Sequence, residues 1–160
     1  MTAKPDVRDL LARSLGWSEA HAAFDEAVRD LPVHLRGARP AGLAHSPWEL
    51  LEHIRIVQRD ILNFSLTPHY DELEWPSGYW PPSPEPPDPE AWQRSVAAVR
   101  EDRERLQELA RDARIDLLAV TPHGTDQTYL RELLLVLDHT AYHLGQLVIV
   151  RRLLGAWPTA

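Results

Sequence analysis

Apolar residues along this chain recur at helical spacing in four long stretches, and the segments between them lose the period. From Asp6 to about Leu31, residues such as Val7, Leu11, Leu15, Phe24, Ala27 and Val28 return every three or four positions with charges between them, which predicts a first helix ended by Pro32. A second helix announces itself at Ser46, with Pro47 at the first helical position and Glu49 completing a capping box. Its stripe of Leu50, Leu51, Ile54, Val57, Ile61 and Phe64 carries it to about Leu66. The third opens at Asp88-Pro89 and runs on Trp92, Val96, Val99, Leu106 and Leu109, with the charge run REDRERLQELARD as its solvated face. The last occupies Thr128 to Leu154 and stops at Gly155. Residues 32–45 and 113–127 read as connections, and Thr67–Pro87, dense in proline with Tyr70, Trp75, Tyr79 and Trp80, reads as a partly packed lid. The expected architecture is all-α, a four-helix bundle with long connections and a Pro/Trp-rich loop between helices 2 and 3, forming one domain over 1–160.

The last helix concentrates both the apolar surface and the chemistry. His143 lies about 40° round and about 6 Å along the axis from His139, so the two imidazoles project from one face and can share a metal ion. Glu132, Tyr142 and Gln146 belong to the same face among Leu135, Val136, Leu147 and Val150. His53 sits at the edge of the second helix's stripe and is the leading third ligand once it is taken with His139 and His143. Three histidines leave positions for water or substrate, the pattern of catalytic sites rather than closed structural ones. Glu132 is a candidate general base, with a partner to a ligand or an acid at a helix N-terminus as the competing readings. Asp138 points away from His139 and reads as structural. His21 and His123 read as exposed histidines.

A second apolar face, Leu134, Leu137, Ala141, Leu144 and Val148, follows the three-four spacing of a helix-pairing seam. Two covers compete for it: the first helix through Trp17 and Phe24, or a second copy of the chain. The expectation is a homodimer.

Composition narrows the chemistry. The formal net charge is −7 and the only paired cations are Arg151-Arg152, which argues against nucleic acid or an anionic membrane as partner. With no cysteine there is no disulfide, no thiolate nucleophile and no sulfur ligand, so a metal must rest on histidine and carboxylate. Zinc and nickel suit imidazole best, with iron and manganese as alternatives. The first residues lack the apolar core of a signal peptide, and no run of about 18 consecutive apolar residues appears, which gives a cytoplasmic expectation.

The segments SPWELLEHI, with His53, and DHTAYHLGQLVIVRRLLG, with His139, His143, Gly145 and Gln146, resemble the two signature regions of the DinB-like (damage-inducible protein) superfamily of bacterial four-helix bundles. The proline- and tryptophan-rich stretch before Trp92 resembles a subgroup of it. The resemblance implies a divalent metal on His53, His139 and His143 and, in some members, thiol-dependent transferase or isomerase activity; members are frequently dimers. It leaves three readings of this chain: a metal-dependent transferase or hydrolase acting on a small molecule or thiol, a metal-containing bundle for binding, regulation or stress response, and histidines that only hydrogen-bond within a core.

Overall fold

The computed structural model describes residues 6–158, and the regular elements in them are helical. They are α1 (Val7–Ser14), α2 (Phe24–Val28), α3 (Pro47–Leu66), α4 (Ala91–Arg111) and α5 (Tyr129–Leu153), with single 3-10 turns at Val33–Leu35 and Ser77–Tyr79. Among the described residues the one β-type pairing is an isolated bridge between Val120 and Thr128, just ahead of α5.

The stretch read as one first helix is two. At Gly16, which costs about 1 kcal/mol in a helix interior relative to alanine, the chain leaves helical bonding: the amides of Gly16 and Trp17 turn back onto the carbonyls of Arg13 and Ser14. The period persists across the break because both pieces are amphipathic on their own. Leu11 and Ala12 of α1 join a core cluster with α4, whereas Phe24, Ala27 and Val28 of α2 join another with α5. The third predicted helix also starts later than expected, at Ala91. Asp88 accepts from the Glu90 amide at 3.0 Å and grips Arg94, so Asp88-Pro89 forms a turn ahead of the helix rather than its cap.

At α3 the sequence signal and the structure agree. Ser46 Oγ accepts from the Glu49 amide at 3.2 Å, and Glu49 Oε2 accepts from the Ser46 amide at 2.8 Å. The Ser46 hydroxyl also donates to the carbonyl of Pro84 at 2.6 Å, tying the long loop to the start of the helix.

Two apolar clusters make the core. One gathers Trp48, Leu50, Leu51, Ile54, Trp92, Val96, Val99, Leu144, Leu147 and Val150 with α2; the other gathers Ile61, Leu62, Leu106, Leu109, Leu133 and Val136 with α1. Between them lies a polar waist, where Gln58 donates to the Val99 carbonyl at 2.7 Å and Arg59 Nε to buried Asp102 at 2.7 Å. His139 and His143 leave α5 between Val136 of one cluster and Leu144 of the other, so the candidate site sits at this waist. The 67–87 loop is held there too: Tyr70 and Tyr79 both donate to the Asp60 carboxylate, at 2.9 and 3.0 Å. Of its aromatics, Trp75 is 78% exposed and stands outside this packing.

α5 is long and apolar enough to cross a membrane by length and composition. It nevertheless packs on α3 and buries Glu132, His143 and Arg151 within the chain. Its second apolar face is covered in large part by the α1–α2 connection and the start of α2: Trp17, Ala20 and Phe24 face Leu137, Ala141 and Leu144 across a narrow cavity. Leu144 is buried and Leu137 partly so, while Leu134 stays 49% exposed. The apolar side chains α5 leaves in the open are Leu134, Tyr142, Ile149 and Leu153.

Candidate metal centre

Three imidazoles converge at the waist. Each of His53, His139 and His143 offers one ring nitrogen, and those nitrogens all lie within 4.8 Å of one another. His53 and His143 are buried and His139 is partly so. The α3 rotation that buries Leu50 and Ile54 turns His53 toward α5, and the four-residue spacing on α5 sets His139 and His143 one turn apart to meet it.

The outward nitrogens are tied down. His53 Nδ1 donates to the Tyr79 carbonyl at 2.7 Å, since a carbonyl can only accept. His143 Nδ1 donates to Gln146 Oε1 at 2.8 Å. Both rings therefore carry their proton on Nδ1 and present a bare Nε2. His53 Nε2 stands 3.0 Å from His139 Nε2. Two lone pairs do not face each other at that distance without something positive between them, either a proton on His139 Nε2 or a cation.

Electrostatics keep the cluster neutral. Burial, and then the charges that His143 and His53 would carry, hold His139 down to about 3. Burial likewise holds His143 down to about 4 against the Gln146 hydrogen bond that favours its charged form, and burial also lowers His53. Imidazoles that stay unprotonated at neutral pH are available as ligands. The donor set, its tautomers and its convergence fit a divalent metal ion.

Trp80 closes one side. Its ring stacks on His53 with centroids 3.9 Å apart and planes 1° from parallel. His45 also stacks on Trp80, at 4.0 Å and 11°. Trp80 thus holds a candidate ligand in orientation as well as covering it. Tyr142 meets His143 edge-on, with centroids 4.9 Å apart, although its side chain is largely exposed.

The remaining candidates lie elsewhere. Glu132 is buried, seven residues and about 10 Å of helix away from His139, and its Oε1 accepts from Arg131 at 2.7 Å. It is not part of the three-histidine group. Asp138 is exposed. His21 is exposed and bonds its neighbour's carbonyl; His123 is partly buried and bonds the Thr67 carbonyl at 2.8 Å. His45 was not singled out from the sequence, because it falls in an aperiodic connection. Its one available signal was its position directly before the Ser46 cap, which fixes it against α3.

An all-helical chain that brings one histidine from a central helix to two from the last has the makings of a metal-binding helical protein. The DinB superfamily model matches residues 17–147, and the chain belongs to that superfamily. No curated protein and no solved structure gives a significant match.

Proposed function

We propose that this chain is a single DinB-like four-helix domain, with α1, α3, α4 and α5 as the four helices, that holds a divalent metal on His53, His139 and His143 and uses it on a small molecule. The observation that carries the reading is the paired restraint of His53 by the Tyr79 carbonyl and of His143 by Gln146, which turns bare Nε2 atoms inward. Zinc or nickel is the expected ion, with iron or manganese as alternatives. The bound ion would supply Lewis acidity, lowering the pKa of a water or an external thiol enough to make a nucleophile near neutral pH.

The residues of the chain do the rest. Tyr79 and Gln146 fix the tautomers, Trp80 holds the His53 ring by stacking, and the burial that depresses all three imidazoles keeps them from competing for protons. Glu132, with its carboxylate engaged by Arg131, is given no proton-transfer step. The reaction class is metal-dependent transfer or hydrolysis, with a low-molecular-weight thiol as one candidate reactant. The protein would work in the cytoplasm as a homodimer, without nucleic acid or membrane as partner.

A non-catalytic metal protein serving binding or regulation is the second reading. It draws on the burial of His53 and His143 beneath Trp80. Metal analysis of the purified protein, followed by titration of the cobalt- or nickel-substituted form with small thiols, separates the two. A new sulfur-to-metal absorption band supports the first reading. A loaded site whose spectrum ignores thiols and other small ligands supports the second, and a protein that retains no metal ends both.

A further inference from the structure

A recess of about 290 Å³ opens between the 43–45 segment and the last turns of α5, and Gln146 in its lining joins it to the three-histidine cluster through His143. Its walls are Leu43, Ala44, Leu50, Ile149 and Val150, and among the described residues no Asp, Glu, Lys or Arg lines it. Its polar groups are His45 and Gln146, and both connect to the three-histidine cluster. Gln146 Oε1 accepts from His143 Nδ1, and His45 is stacked on the Trp80 ring that stacks on His53.

The hydrogen-bonding capacity of that polar end can be read off. His45 Nδ1 is buried without a hydrogen-bond partner and lies 4.0 Å from Glu49 Oε1. That carboxylate is held in place by Arg39 and the Ser46 amide. A neighbouring anion favours the proton on Nδ1, which leaves His45 Nε2 as an acceptor. The His45 side chain is still 36% exposed although its Nδ1 is buried, so its exposure lies on the rest of the side chain. Gln146 has its oxygen committed to His143 and its amide NH2 left to donate. One acceptor and one donor at the end of an apolar recess match a head group that both donates and accepts.

The geometry points to a binding site for a small uncharged molecule with a short apolar body and a hydroxyl or carboxamide head, seated between His45 and Gln146. The volume is at the floor of the range for small-molecule pockets, roughly 300–1,000 Å³, so the body is an alkyl chain or a single ring. That this occupant is the substrate rests on the metal-centre reading above; the recess itself does not.

Straight-chain primary alcohols from propanol to octanol, and the carboxylates of matching length, are the probes, titrated by ligand-detected NMR against the full-length protein with its metal content measured in parallel. Affinity for the alcohols is expected to rise about fourfold per methylene until the recess is full, the figure for burying one CH2. The carboxylates are expected to bind at least about tenfold more weakly, since the recess offers a carboxylate no cation. Ala44→Trp, which fills the space from an exposed loop position, and Leu43→Glu, which places a charge in it, should each abolish binding while leaving metal content unchanged. His45→Ala should cost roughly threefold to tenfold, with partial recovery in His45→Gln. Flat affinity along the alcohol series, or undiminished binding in both loop variants, overturns the assignment. Chain-length-dependent binding by a protein that holds no metal supports the recess and overturns the metal-centre reading instead.

Discussion

At the scale of single residues, the site depends on where each imidazole keeps its proton. His139 has the nitrogen that faces His53 at 3.0 Å, so its removal takes away one candidate ligand and the close approach together. His139→Ala is expected to lower bound metal to below about a tenth of an equivalent while the chelated variant stays within about 1 kcal/mol of the chelated wild type, because the two apolar clusters carry the stability. Metal analysis and urea denaturation after chelation check the two halves, and cooperative loss of helix in the wild type on chelation would show that the metal is structural. His139 and His143 were legible as a pair because four residues on a helix is a fixed geometry. His53 became legible only alongside them. Tyr79 was not, since its contribution is a backbone carbonyl, which a sequence never displays. His45 escaped for a related reason: the stack that gives it a place is built by Trp80, 35 positions later in the chain.

At the scale of elements, helix ends explain both what the sequence revealed and what it concealed. The capping box at α3 is local chemistry, complete within four residues, and it appears in the structure as written. The break between α1 and α2 is not local in that sense. A periodicity argument sees two amphipathic pieces in register, and only their different packing partners, α4 for one and α5 for the other, show that the chain must turn between them. The Ser46 hydroxyl joins two elements, since it caps α3 and donates to the carbonyl of Pro84 in the loop that also carries Tyr79 and Trp80. Ser46→Ala is therefore expected to cost more than a lone cap, about 2 kcal/mol against the usual value near 1, and to loosen the loop over His53. Urea melts measure the first effect. Faster hydrogen exchange of loop amides between residues 77 and 85 measures the second, and a loss confined to the α3 amides would show that the loop does not depend on Ser46.

At the scale of the whole molecule, pH and assembly are the accessible handles. Folding depresses the three clustered histidines below their usual value near 6.5, so the unfolded chain takes up protons first as pH falls. The stability they contribute is fully present above about pH 6.5 and is lost as pH falls toward the folded values of about 3 and 4 for His139 and His143. The chelated protein should thus show a falling urea midpoint from pH 7 to pH 5, steeper than that of His139→Ala; equal slopes would mean that the cluster does not set the dependence. Assembly turns on α5. The face first expected to pair with a partner is occupied in large part by Trp17, Ala20 and Phe24 of the same chain. What remains is a different stripe, Leu134, Tyr142, Ile149 and Leu153, spaced by eight, seven and four residues along one side of the helix and interrupted by exposed Asp138 and Gly145. Gly145 has nothing within 4 Å of where a Cβ would stand, so a second helix can approach there closely. A two-fold pairing of this stripe is the expected homodimer, with Ile149 at once on its seam and at the rim of the recess. Sedimentation at micromolar concentration should give twice the chain mass, Gly145→Leu and Leu134→Glu should each return it to one, and a monomeric wild type would rule the dimer out.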